Sequence, residues 1–201
     1  MLKIFHSQGA RSLRVVWLCE EMGVPYETAE ASFFKPSEEF VAVNPLRTVP
    51  AMVDGDVRMI ESVAMMMYIM SKYGPTDLEV KPNEPGYSDY LQYLMFGEAG
   101  IAAYGNPLVA TRFMAPDDQK QNWTTEYLTN AIVKRLEFVC ERLGDGHYVA
   151  ANRFTAADIS AAYIVSAAKF AGIEDKIPAR MRAYYDNLAQ RPAFQRAAAV
   201  K

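Results

Sequence analysis

Every segment of this 201-residue chain that reads as a β-strand lies before residue 61. A strand is expected over Leu2-Lys3-Ile4-Phe5 and a weaker one over Pro25–Ala29. A hairpin is expected from Ala51-Met52-Val53, through the turn Asp54-Gly55-Asp56, to Val57-Arg58-Met59. Helix signals alternate with these strands. Val15, Leu18, Cys19 and Met22 recur at i, i+3, i+4 and i+7, and Gly23 and Pro25 close that run. A short helix is suggested by Pro36–Phe40. A third begins near Glu61, carries Met66, Ile69, Met70 and Tyr73 on one face, and stops at Gly74-Pro75. The order β-α-β-α-β-β-α implies an α/β sheet domain. From Pro75 to Pro85 the sequence turns to Pro, Asp, Glu, Lys and Gly, which reads as a linker. Beyond it only helices are expected: Tyr87 to about Met114, Asp117 to about Leu143, Thr155–Phe170, Ile177 to about Ala189, and a short tail. Two domains follow, an α/β domain over 1–76 and an all-α domain over 86–201.

The composition narrows the function classes. With 51% hydrophobic and 22% charged residues, the chain can bury a core. A net charge of −3 without a Lys or Arg run gives no footprint for nucleic acid or anionic lipid. Two cysteines, Cys19 and Cys140, exclude a disulfide framework, and two histidines, His6 and His147, leave little for a metal site. Cys19 falls on the apolar face of the first helix and reads as a buried structural thiol. The longest apolar run, Val63–Met70, is too short to span a membrane, and the first six residues lack a signal-peptide pattern. A soluble, reduced, cytoplasmic protein without a metal is expected.

One helix start reads as structural. Phe154-Thr155-Ala156-Ala157-Asp158-Ile159 fits a capping box, with Thr155 and Asp158 exchanging hydrogen bonds and Phe154 packing on Ile159. The helix that follows carries few polar residues, so it is expected at the centre of the second half.

Three pieces of the first half could carry chemistry. Gly9-Ala10-Arg11-Ser12-Leu13-Arg14 joins the first strand to the first helix, where a hydroxyl and free N–H groups either bind an anion or simply cap the helix. Asn44-Pro45-Leu46-Arg47-Thr48-Val49-Pro50-Ala51 places a proline at the entry to a strand. There an edge or tight turn is expected, and an unpaired Val backbone would accept an extended peptide. Ile60-Glu61-Ser62 opens the Met-rich helix, and Ser62 reads either as a carboxylate site or as an N-cap.

This ordered set resembles the cytosolic glutathione transferase family. It comprises a Ser-containing turn, Asn-Pro-x-x-x-Val-Pro-Ala, and Glu-Ser opening a helix, with the Phe154–Asp158 cap in the second half. Gly9–Leu18 with Glu20-Glu21 is similar to a bacterial and fungal branch. The resemblance spans essentially the whole chain. It implies a thioredoxin-like first domain and a helical second domain that forms an electrophile pocket. It implies that Val49, before a cis Pro50, pairs its backbone with the cysteinyl part of glutathione. Glu61 and Ser62 would hold the γ-glutamyl end, Ser62 taking its carboxylate. Arg47 and Thr48 stand where members often carry Gly-Lys, so Arg47 would supply the charge for the glycine carboxylate.

The nucleophile in that family is the thiol of glutathione, stabilised as thiolate by a Ser, Tyr or Cys near the end of the first strand. In the most similar pattern, Gly-Ser-Arg-Ser-Leu-Arg, the first Ser falls on Ala10 and the second on Ser12. Lowering a thiol pKa by two units takes about 2.7 kcal/mol. A helix terminus supplies about 0.3–1 kcal/mol and a hydrogen bond to a charged acceptor about 1.5–3 kcal/mol. One donor beyond the helix dipole is therefore needed. Ser12 is the expected donor, with Arg11 or backbone N–H groups as alternatives. Tyr104 and Phe113 are expected to line the electrophile pocket. The implied activity is conjugation of glutathione, as co-substrate, to a small apolar electrophile by a homodimer. The alternatives are a glutathione-dependent reductase, isomerase or ether-cleaving lyase, and a binding module without turnover.

Overall fold

The computed structural model describes residues 1–32 and 35–201. Its strands are β1 (Leu2–His6), β2 (Tyr26–Glu30), β3 (Ala51–Asp54) and β4 (Val57–Ile60). They form one sheet in the order β2-β1-β3-β4, with β1 parallel to β2 and the other pairs antiparallel. Helix α1 (Ser12–Met22) is the crossover that a parallel pair of strands needs. Short α2 (Glu38–Val43) precedes β3, and α3 (Ser62–Tyr73) follows β4.

The chain divides into two compact units, Met1–Glu79 with Ala189–Lys201, and Val80–Leu188. The first unit buries Leu2, Ile4, Phe5 and His6 of β1, whose side chains alternate between the two faces at Ile4, Phe5 and His6, so both faces of this strand are covered. Phe5 packs on Phe40 of α2 at a ring distance of 5.4 Å, in a cluster with Ala31, Val49 and Ala51. Met65, Met66 and Met70 fill the α3 side of the core, whereas Met67 is exposed. Cys19 is buried, and desolvation pushes its thiol up to about 12, which keeps it protonated and inert.

The last helix, α9 (Pro192–Ala199), belongs to the first unit, although the sequence pattern assigns it to the helical half. Side chains of α1 explain the difference. Trp17 meets Phe194 edge-on at 4.8 Å and donates its indole N–H to Glu21 at 2.9 Å. Arg191 binds both carboxylate oxygens of Glu21, at 2.6 and 2.8 Å, and Arg196 donates to Glu20 at 2.6 Å. These acids and their arginines are some 170 residues apart in sequence, so helix periodicity carries no trace of the pairing.

The second unit contains α4 (Tyr87–Met95), α5 (Ala103–Val109), α6 (Trp123–Leu143), α7 (Ala156–Phe170) and α8 (Ala179–Ala189). Phe96–Ala102 and Ala110–Met114 continue the expected helical run, but as π-helical turns. Gly97 sits where α7 comes close: a Cβ there would lie 2.2 Å from the Ser160 hydroxyl oxygen. Helix α6 starts six residues later than the sequence suggests, because the Asn122 side chain caps it by accepting from the Thr125 N–H at 3.0 Å. The expected capping residues of α7 are found. Asp158 accepts the Thr155 N–H at 2.9 Å and its hydroxyl at 3.2 Å. Among the described residues, no helix is long and apolar enough to cross a membrane.

Candidate functional site

Three peptide segments meet at one end of the sheet in the first unit. The β1–β3 register ends at Phe5–Ala51 and, continued by two residues, brings Ser7 opposite Val49. The β3–β4 register ends at Ala51–Ile60 and, continued likewise, brings Ser62 opposite Val49. Ser7, Val49 and Ser62 therefore lie on the segments that leave the sheet at this one end, where α1 and α3 also start.

At this end lies a main-chain site. The Val49–Pro50 peptide is cis. Neither the N–H nor the C=O of Val49 has a hydrogen-bond partner among the described residues. Its side chain is buried in the Phe5–Phe40 cluster, so the position is fixed while its polar groups stay open. Asn44 shapes the loop that leads there. This buried side chain donates to the Thr48 C=O at 2.6 Å and to its hydroxyl at 3.0 Å, and accepts from the Leu46 N–H at 3.0 Å. The sequence pattern marks Asn44-Pro45 as a turn but does not show that one amide side chain holds the whole loop. Arg47 and Thr48 are exposed, and Arg47 adopts a φ of 56°.

Glu61 and Ser62 form the second element. Glu61 sits at φ 73°, a conformation that costs a residue with a Cβ about 1–3 kcal/mol and persists only where the surroundings impose it. It is exposed and precedes α3 without a side-chain cap. Ser62 is 2% exposed and is the first helical residue, not an N-cap. Its Oγ accepts a hydrogen bond from Arg14 Nη1 at 3.2 Å. Arg14, on α1, is 0% exposed. A cation between Leu13 and Val15, in the run of α1 that is otherwise apolar from Leu13 to Cys19, is the one sequence sign of this residue. Its partner lies 48 positions away.

The third element is the turn between β1 and α1, which carries Ser12. Ser12 is 0% exposed. That hydroxyl donates to the Ser7 C=O at 3.3 Å and accepts from the Ser7 N–H at 3.2 Å. Ser12 thus closes the turn between β1 and α1 and fixes Ser7. Ser7 is half-buried, and its own hydroxyl makes no hydrogen bond among the described residues. Arg11, half-buried, occupies the cap position of α1 without a side-chain cap bond. His6 is buried, and desolvation holds its pKa below the ordinary 6.5 despite an opposing interaction with the Val200 backbone.

In the helical unit, no ring contact joins Tyr104 to Phe113 among the described residues. The Tyr104 hydroxyl accepts from Arg135 Nη2 at 2.6 Å, and the guanidinium lies 4.1 Å from its ring centre. Phe113 is 55% exposed. Among the described residues no group of His, Cys, Asp and Glu is arranged to hold a metal.

The sequence matches two family models in succession. Residues 5–77 match the glutathione S-transferase N-terminal domain and residues 105–196 the C-terminal domain. This chain belongs to the glutathione S-transferase family. It is 26% identical to glutathione S-transferase 3 of Schizosaccharomyces pombe, over 98% of this chain and 87% of that protein. The structure of the Phanerochaete chrysosporium glutathione transferase URE2P6 with oxidized glutathione is 26% identical, with a TM-score of 0.84 over 98% of this chain and 94% of that one. The nitrogen regulation fragment of the yeast prion protein Ure2p shares the fold, with a TM-score of 0.87 at 21% identity over 100% of this chain and 96% of that one. The expected thioredoxin-like sheet domain and helical second domain are those of the family.

Proposed function

We propose that this chain binds glutathione at the end of the sheet that carries Ser7, Val49 and Ser62 and conjugates it to a small apolar electrophile. The observation that carries the reading is the open main chain of Val49 at the sheet end shared with Ser7 and Ser62. An extended cysteinyl residue pairs with the Val49 N–H and C=O as an added strand does. The γ-glutamyl carboxylate then meets Ser62 and the free N–H groups at the start of α3, and Glu61 receives the γ-glutamyl ammonium. Arg47, with Thr48 beside it, faces the glycine carboxylate. The cysteinyl sulfur falls toward Ser7, whose hydroxyl takes the donor role in place of the buried Ser12.

The thiol proton passes to solvent and the thiolate is held by Ser7 together with the N–H groups and Arg11 at the start of α1. The sulfur lone pair forms a C–S bond to the electrophilic carbon. A leaving group departs with its electron pair, or in an addition the adjacent carbon takes up a proton. Tyr104 and Phe113 are the aromatic surface offered to the electrophile, Phe113 being the exposed one. Family likeness extends the reading to a cytoplasmic homodimer acting in detoxification. Binding without turnover is the second reading. It is favoured by Ala10, which stands where the resembled pattern has a hydroxyl, and by likeness to a protein named for nitrogen regulation.

Retention on immobilised glutathione, followed by an aryl-halide conjugation assay, separates the two. Retention with turnover supports the transferase, retention alone supports the module, and no retention removes both. The bound thiol pKa, read from thiolate absorbance, should rise by roughly one unit in Ser7→Ala, the worth of a charged hydrogen bond. Ser12→Ala should shift it less, because Ser12 acts only by holding Ser7. An unmoved midpoint in Ser7→Ala would remove Ser7 from the mechanism.

A further inference from the structure

Arg135 of α6 is a cation held in place without a counter-ion. Its Nη2 donates to the Tyr104 hydroxyl of α5 at 2.6 Å, its Nη1 donates to the Ala131 C=O at 2.9 Å, and its guanidinium carbon lies 4.1 Å from the Tyr104 ring centre. These two bonds leave the other N–H donors of the guanidinium unbonded among the described residues. Arg142, Arg153, Arg191 and Arg196 each meet a carboxylate, whereas Arg135 meets none among the described residues. The local sequence explains this. One turn from Arg135 stand Ala131, Ile132, Phe138 and Val139, and one turn from Tyr104 stand Gly100, Ile101, Pro107 and Leu108. None is an acid, so neither helix offers a neighbouring ion pair. Both Arg135 and Tyr104 are half-buried. The phenol adds a further donor. Its oxygen accepts from the guanidinium, its own proton has no acceptor among the described residues, and a hydroxyl that accepts from a cation is polarised toward donating.

We propose that Arg135 and Tyr104 together recognise a carboxylate on the second substrate, so that the preferred electrophile is an organic acid with an apolar body. The assignment rests on the transferase reading above, in which Tyr104 belongs to the surface offered to the electrophile, and it narrows the class of that electrophile. A guanidinium presents its N–H groups as a planar fork that matches the two oxygens of a carboxylate. The stack on Tyr104 and the bond to Ala131 hold that fork before any ligand arrives, so little side-chain freedom is lost on binding. A carboxamide of the same shape carries no charge and, in the same pose, turns N–H groups toward N–H groups.

The test compares two aryl halides with glutathione as co-substrate: a chlorodinitrobenzoate with its chloride para to the carboxylate, and the corresponding carboxamide. In both, the thiolate forms a C–S bond as chloride leaves with the C–Cl electron pair. The wild-type protein should favour the benzoate in kcat/KM divided by the uncatalysed rate. Arg135→Gln should cut the benzoate-to-carboxamide ratio about fivefold or more, mainly through KM, and Tyr104→Phe, which keeps the ring and removes the O–H, about twofold. Arg135→Lys keeps the charge without the fork and should fall between the wild type and Arg135→Gln. If Arg135→Gln does not fold, Arg135→Lys and Tyr104→Phe carry the test. An arginine that only builds the helical unit would lower both substrates by one factor. An unmoved ratio in the folded variants, or a wild-type protein that turns over both substrates without favouring the benzoate, overturns the assignment and leaves the transferase reading standing. Turnover of neither substrate by the wild-type protein overturns the transferase reading and the assignment with it.

Discussion

The starts of α3 and α7 are similar in sequence: each sets a hydroxyl and an acid beside the first turn of an apolar helix. In the structure they differ in how their hydrogen-bonding capacity is used. At α7 it is saturated internally. The two Asp158 carboxylate oxygens accept from the Thr155 N–H and hydroxyl, from the Val149 N–H at 2.9 Å and from the Tyr184 hydroxyl at 2.8 Å. At α3 the capacity is left over. Glu61 is exposed and strained, the Ser62 proton has no internal acceptor, and the Val49 backbone at the same end of the sheet is unpaired. A buried polar group whose bonds all close inside the fold stabilises it. One held firmly with a bond to spare is available to a ligand.

The sharpest way to break this contrast is Asp158→Ala. It strands several buried donors at once and should cost about 3–5 kcal/mol in a urea titration. A loss under about 1 kcal/mol would mean that the α7 start is not a structural keystone. Ser62→Ala should instead be felt in binding. Glutathione affinity should fall about tenfold, near 1.4 kcal/mol, while stability falls by less than in Asp158→Ala. The reverse order would make both helix starts structural.

The smallest effect sharpens the contrast by pH. Burial lowers the His6 pKa below 6.5, so its contribution is fully present above pH 6.5 and declines as pH falls through that value. Burial pushes Asp158 up to about 6, against the hydrogen bonds it accepts. The folded state therefore takes up that proton before the unfolded one does, and stability from this group rises as pH falls from about 6 toward 3.8. Amide exchange, corrected for intrinsic rates, should show β1 losing protection and the start of α7 gaining it between pH 6.5 and 5. Parallel changes in both segments would rule out these two groups as the cause.

Some of this was open to the sequence. The hairpin Ala51–Met59, the α1 face through Val15, Leu18 and Cys19, and the Thr155–Asp158 cap are local patterns, and each is legible from neighbours within a few residues. The two hydroxyls of the β1–α1 turn cannot be told apart in this way. Ser12 and Ser7 are both hydroxyls in one turn, and which of them faces outward depends on how tightly α1 is packed. The tail was misassigned because Glu20, Glu21, Arg191 and Arg196 meet only in three dimensions.

The order of strands and helices and the residue types at the sheet end were determined by the sequence, since propensity, capping and hydrophobic period act over one or two turns of chain. Only the tertiary structure decided that Arg14 would face Ser62, that Asn44 would hold the Val49 loop, and that Ser12 would spend its hydroxyl inside. Each of these choices is a contest among partners for the hydrogen bonds of a buried polar group, and packing alone determines which partners come within reach.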